Sequence, residues 1–316
     1  MPTESSCTAP PPASPVTCSS AIPAAGIRSP RSDVPRGAVE RVLWRDHRGR
    51  GALHTAVCAG GAVAAAVLAS RAVRRSPAAS VALTAAATWA VVGGTTLGRE
   101  ATAIGEALAA GDVEAARERL PHLCGRDPQA LDEQQIARAV VESVAENTSD
   151  AVVGALVWGA LAGVPGLVGF RAVNTLDAMV GHRSPRYLRY GWASARLDDV
   201  AGWPGARLTA ALAAVCGPDR RGAVRAWRAD AANHPSPNAG PVEASFAGAL
   251  GVRLGGPLSY GGRVEHRPVL NGGGRAVEFG DIGRAVRLSR RVGLLTLAVC
   301  AAGRVLRQGR GGRRPA

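Results

Sequence analysis

The segment ESVAENTSD, 142–150, spaces Glu142, Glu146 and Asp150 four residues apart, just before the apolar run AVVGALVWGALAGV. On a helix, positions i, i+4 and i+8 share one stripe, so three like charges stack at the edge of an apolar segment. Such pairs cost roughly 0.2–0.5 kcal/mol each on a solvated helix, and more where the dielectric falls. The stripe needs a compensating cation: arginine, a divalent metal, or both. Asn147 follows Glu146 and adds an amide beside the stripe. A solvated acidic face outside a bilayer is the plainer alternative, but the next segments repeat the pattern. NTLDAMVGHR places Asn174 and Asp177 on one helical face where the apolar run ends. GWASARLDDVAGW then brings Ser194, Arg196, Asp198 and Asp199 to the entrance of a further apolar block, which contains Arg207. Ionisable groups at three successive borders of membrane segments are functional-site candidates.

Further along, HPSPN is held rigid by Pro235 and Pro237 and presents His234, Ser236 and Asn238; Glu243 follows at the start of a small-residue helix. Taken alone, this loop fits a buried cap equally well. The stretches GGPLSYGG (255–262) and NGGGRA (271–276) have the composition of phosphate cradles, and also that of plain loops.

The elements that must position these groups follow from composition. The chain of 316 residues is 47% hydrophobic and 20% charged, with a mean hydropathy of +0.05, so apolar and charged residues are segregated into blocks. Residues 1–35 are Pro/Ser/Ala-rich without periodicity and are expected to be disordered; they lack the apolar core of a signal peptide. A short basic amphipathic helix over 36–50 leads to two charge-free blocks, 52–70 and 77–97, which read as a transmembrane hairpin. Their small residues suit close helix contact in lipid; two buried helices of a soluble bundle are the alternative. The third block, 151–173, is interrupted by GVPG at 163–166, which predicts a kinked helix or a re-entrant hairpin. Weaker blocks lie at 200–216, 244–257 and 292–303, followed by a basic tail from 306 that is expected to be disordered. If every block spans, ESVAENTSD and NTLD face opposite sides; a re-entrant path returns both to one side. The fold class is therefore all-α: a multi-pass helical membrane protein with polar helical segments and loops between the spans.

The net charge of +14 suggests nucleic acid, yet no motif of known spacing accompanies it. The chain has no lysine, and its arginines flank apolar blocks, as in RAVRR and LSRR, where cytoplasmic ends of membrane helices carry them. Six cysteines without a CxxC pair and histidines without ligand spacing give no zinc site and no disulfide framework.

Block by block, ESVAENTSD, NTLDAMVGHR, RYGWASARLDDVAGWPGARLTA, HPSPNAGPVEASFAGAL and RPVL…DIGRAVRLSRR resemble the CobD/CbiB family of cobalamin biosynthesis, the adenosylcobinamide-phosphate synthases, over roughly 36–305. Members of that family begin with an extra hydrophobic segment and an Asp-Pro…His-Pro-Val motif, and residues 1–35 contain neither. The resemblance implies a multi-pass protein of the inner (cytoplasmic) membrane. It also implies attachment of aminopropanol, free or phosphorylated, to the last free carboxylate of adenosylcobyric acid, an amide formation driven by Mg-ATP. Zinc, haem and flavin are not expected, nor is a nucleic-acid partner. A carboxylate does not condense with an amine at neutral pH, so it needs activation, for which an acyl phosphate formed from Mg-ATP is the expected route. Under this reading Glu142, Glu146 and Asp150, with Asp177, hold Mg²⁺, which favours one or two carboxylates plus phosphate oxygens, with Asp198 and Asp199 in reserve. Arg196 and Arg207 neutralise phosphate, and Asn147, Asn174, Ser194, His234, Ser236, Asn238 and Glu243 contact substrate. The alternative function is a transporter or sensor built on the same helical frame, since intramembrane carboxylates suit ion coupling as well.

Overall fold

The computed structural model describes residues 34–124, 128–182, 184–260 and 263–311; most of the N-terminal stretch expected to be disordered, and the tail beyond 311, lie outside them. After α1 (Val34–Leu43) comes α2 (Arg48–Val73), capped by the His47 side chain, which accepts from the Gly49 N–H at 3.0 Å. Its 26 residues reach roughly 39 Å at 1.5 Å per residue, enough to cross the ~30 Å hydrocarbon core. Ser76 caps α3 (Pro77–Val91), with Pro77 in the first turn where its missing N–H costs nothing. Leu68, Val81 and Trp89 of this hairpin are 64%, 69% and 72% exposed, as a lipid-facing surface requires. Three stretches, 48–73, 77–109 and 133–181, are long and apolar enough to enter a membrane.

Helices α4 (Gly94–Ala109) and α5 (Val113–Arg119) lead to α6 (Glu133–Asn147), which opens on a reciprocal cap between Asp132 and Gln135. The chain then loosens into a π-helical turn over 148–153 and enters α7 (Gly154–Leu176). This segment is two arms. Gly163 has φ 67° and ψ −152°, a conformation that only glycine adopts readily, and Pro165 sits at the start of the second arm. Gly154 lies against Phe170 and Gly159 against Leu167, pairs that one straight helix would separate by roughly 12–24 Å. The GVPG interruption is thus the turn of a helical hairpin rather than a kink in one continuous helix. A second π-helical turn, 177–181, closes it.

The remainder comprises α8 (Trp192–Cys216), α9 (Arg220–Asp230), α10 (Ala239–Leu250), an antiparallel pair β1 (Leu254–Tyr260) and β2 (Arg263–Leu270), and α11 (Phe279–Gly311). The strands were not anticipated in an all-α reading. They incorporate one of the glycine stretches proposed as a phosphate cradle: Gly255 and Gly256 have positive φ at an irregularity in the strand pairing. Residues 306–311, expected as disordered tail, continue α11.

Two cores result. One joins Ile104 of α4, Val140 of α6, Phe246 of α10 and Ile282 of α11; every residue of α10 is buried. The other joins Ala59, Val91, Leu167 and Phe170 among the apolar segments. Helices α9 and α10 touch backbone to backbone, for a Cβ on Gly222 would lie 2.6 Å from the Gly248 carbonyl oxygen. At the border of the two cores, Gly205 of α8 meets Gly154, where a Cβ would lie 2.8 Å from the Gly154 Cα.

Candidate functional site

A cavity of about 1270 Å³ opens where these elements converge. It exceeds the ~300–1,000 Å³ typical of small-ligand pockets. Its lining includes five carboxylates, Glu146, Asp150, Asp177, Asp198 and Asp199, and six arginines, Arg48, Arg189, Arg196, Arg207, Arg228 and Arg267. The helical hairpin makes the acidic group possible. By folding back at Gly163, it returns Asp177 to the level of Asp150, and the first turns of α8 then add Asp198 and Asp199.

The carboxyl of Asp198 is pushed well above its ordinary range, chiefly by burial and then by the charges of Asp177 and Asp150; the Asn174 amide opposes this. That amide donates to Asp198 Oδ1 at 3.4 Å. Asp199 lies 3.7 Å from Arg196. So many acids in one partly desolvated space require protons, a cation or both. Among the described residues no trio of His, Cys, Asp or Glu is arranged as a metal cage. Carboxylate oxygens beside arginines are nevertheless a donor set that a Mg²⁺ ion shared with a phosphorylated ligand would fit, since such an ion takes only one or two protein carboxylates.

The stripe of Glu142, Glu146 and Asp150 divides. Glu142, one turn before Glu146 on α6, is directed to the β-hairpin instead: it is buried and accepts the Gly255 N–H at 2.7 Å. Arg138, one turn earlier, donates to the carbonyls of Gly255 and Pro257 at 2.7 and 2.6 Å. Helix α6 thus grips the β-hairpin with one turn and lines the cavity with the next. As a ligand trio, Glu142, Glu146 and Asp150 are not brought together; Glu146 and Asp150 are.

The HPSPN loop lines the cavity, but much of its polarity is spent internally. The Ser236 N–H donates to His234 Nδ1 at 3.1 Å, and Nε2 lies 3.7 Å from Glu243. Burial, then the Arg267 charge, hold the His234 imidazole neutral down to about 4, outweighing the backbone of Ser236 and the charge of Glu142. Ser236 Oγ accepts the backbone N–H groups of Asn238 and Ala239. Asn238 bridges two walls, accepting from Arg207 at 2.9 Å and donating to the Asp199 carbonyl at 2.9 Å. Arg207 also lies over the Trp203 ring, 4.8 Å from its centroid.

Other sequence candidates lie behind the lining. Ser194 hydrogen-bonds Thr55 at 2.8 Å and ties α8 to α2. Asn147 donates to the Ser143 carbonyl at 2.9 Å, and Glu243 is buried behind His234. Asn174 is buried as well and acts through Asp198. The sequence reading missed Arg48, Arg189, Arg228 and Arg267. Each is a lone arginine in a basic chain, although Arg267 belongs to the RPVL block already singled out.

Fold and site together define a helical membrane protein with a large charged cavity at the border of its apolar segments. The family described as CobD/Cbib protein matches residues 30–289. A cobalamin biosynthesis protein CobD of Mycobacterium tuberculosis is 54% identical over 269 residues, 83% of this chain and 84% of the relative. One from Chromobacterium violaceum is 43% identical over 276 residues, 87% and 86% of the two chains. A third, from Rhodobacter capsulatus, is 48% identical over 189 residues, 60% of each. No solved structure matches. The chain belongs to the CobD/CbiB family.

Proposed function

We propose that this protein acts in cobalamin biosynthesis as an ATP-dependent amide-forming enzyme of the cell membrane, joining aminopropanol or its phosphate to the free propionate of adenosylcobyric acid. Family membership supports the pathway and gives the transporter or sensor alternative no support. The observation that carries the chemistry is the meeting of five carboxylates and six arginines in one cavity of about 1270 Å³. Activating a carboxylate with a nucleotide gathers several negative charges around one reacting centre, and arginines supply the matching field.

Within this reading Glu146 and Asp150 would hold a Mg²⁺ ion, which would supply charge neutralisation for the nucleotide phosphates, with Asp177 beside them in the cavity. Arg207, fixed by Asn238 and stacked on Trp203, and Arg267 bind anionic oxygens of the substrates. Asp198 faces the cavity and is oriented by Asn174; it takes the proton that the attacking ammonium must lose. His234 and Glu243 shape the loop rather than react.

The test is a detergent-solubilised assay with adenosylcobyric acid, aminopropanol with or without phosphate, and Mg-ATP, read by mass spectrometry. Wild type yields the amide, and Asp198→Asn slows it by roughly a hundredfold or more, the contribution of a positioned acid–base group. Glu146→Gln abolishes it. No amide from folded wild type, or undiminished turnover in both variants, refutes the assignment.

A further inference from the structure

Helix α9, with the sequence RRGAVRAWRAD, presents Arg220, Arg221, Arg225 and Arg228 to solvent along one side of a shallow groove. Its other side is buried through Gly222, Ala223 and Ala226, so the arginine side is fixed rather than free to rotate away. Among the described residues none of the four has an ion pair. The two acids of this region are engaged elsewhere: Asp219 caps the Gly222 N–H at 2.8 Å, and Asp230 accepts the Asn271 N–H at 2.7 Å. Four uncompensated positive charges on an 11-residue helix repel one another and await an anion.

The place of the groove in the fold identifies the anion. The corner between α8 and α9 touches α11, where Arg291 Nη1 donates to the Cys216 carbonyl at 3.5 Å. Directly beyond Arg291, α11 turns apolar and exposed, with Leu294 at 69% and Leu297 at 52%; on the facing corner Val215 is 59% exposed. A band of exposed aliphatic side chains therefore lies at the α8–α9 corner, from which the arginine helix sets out. A soluble phosphate or a polynucleotide needs the charges and has no use for that band; a phospholipid uses both, its acyl chains on the band and its phosphate among the guanidinium groups. We infer that the α9 groove is a binding site for the headgroup of an anionic phospholipid. The site is separate from the charged cavity except at Arg228, which borders both, and the inference does not depend on the proposed reaction.

The experiment uses the full chain in uncharged detergent, titrated with short-chain phosphatidylglycerol, phosphatidylcholine, glycerol phosphate or inorganic phosphate. Native mass spectrometry and the melting midpoint are the readouts. The comparison is the double variant Arg221→Gln/Arg225→Gln, which leaves Arg228 in place. Phosphatidylglycerol binds wild type and raises its midpoint, and the double variant binds roughly thirtyfold more weakly, from about fivefold per arginine near an anionic surface. The charge-keeping pair Arg221→Lys/Arg225→Lys retains most of the binding and serves if the glutamine variant fails to fold. Equal binding of phosphatidylcholine, unchanged affinity in the double variant, or loss of binding in the lysine pair overturns the proposal. Glycerol phosphate or inorganic phosphate binding as tightly as the lipid also overturns it, in favour of a soluble-phosphate site.

Discussion

Acidification tests the buried histidine of the HPSPN loop directly. In an unfolded chain His234 takes a proton near 6.5, whereas in the folded protein burial and Arg267 hold the ring neutral down to about 4. Between those values the unfolded form binds more protons, so stability rises with pH across the window. It is complete above about 6.5 and drains away as the pH falls toward 4. That gap of about 2.5 pH units, at about 1.4 kcal/mol each, makes the full effect about 3–4 kcal/mol. No discount for solvent screening applies, because the side chain is only 3% exposed. The assay is a series of melting midpoints from pH 7.5 to 4.5 on wild type and His234→Asn. Asparagine keeps an acceptor near the position of Nδ1 for the Ser236 N–H but has no proton to gain. Wild type should lose roughly 5–10 °C more than the variant over this range, at about 2–4 °C per kcal/mol for a chain of this size. Identical acid limbs refute the reasoning, as does an NMR titration that finds the His234 midpoint near 6.5.

Arg138→Met leaves the buried Gly255 carbonyl of β1 without its donor, at about 1–3 kcal/mol for a buried group left unpaired, and also removes the exposed bond to Pro257; proteolysis within the β-hairpin should quicken, and unchanged cleavage contradicts the docking role. Gly248→Leu places a Cβ against the Gly222 carbonyl and should cost at least the roughly 1–3 kcal/mol of an overpacked core, read as a lowered melting midpoint; an unshifted midpoint contradicts the backbone contact. For the re-entrant path, cysteines introduced at Gln134 and Leu188 should label from the same side of the membrane and one at Arg75 from the other. Labelling of the first two from opposite sides removes the hairpin.

Apolar blocks were legible because bilayer thickness imposes length and composition on them. The transmembrane pair α2–α3 and the interruption at GVPG could both be located from residues alone. Whether that interruption bends a helix or reverses it could not be decided, because the choice rests on Gly154 meeting Phe170 and Gly159 meeting Leu167. The acidic residues stood out as candidates because charges are costly beside apolar runs. Their grouping did not, since Glu142 and Glu146 share one regular helix and only the Gly255 N–H, more than a hundred residues away in sequence, draws Glu142 off to the β-hairpin. Ser194, Asn147 and Glu243 look from their residue types like substrate contacts, but each meets another part of the chain. The arginines of the cavity were hidden by abundance: in a chain with 38 basic residues, all arginine, one more in a loop carries no signal. The β-hairpin went unseen because its glycines resemble loop residues until Arg138 and Glu142 supply the partners for their backbone groups.

The return at Gly163 has a consequence for biogenesis. In an arrangement where α2–α3 crosses and returns and the 154–176 hairpin dips in and comes back on the side it entered, the cavity residues from Arg48 to Arg267 would all face one compartment. The insertion of the first hairpin would then fix the compartment of the entire cavity. A molecule inserted backwards would not hold a half-assembled or weakened site; it would hold a complete one facing the wrong solution. Errors of insertion thus subtract active molecules from the population and leave the affinity of the remaining ones unchanged.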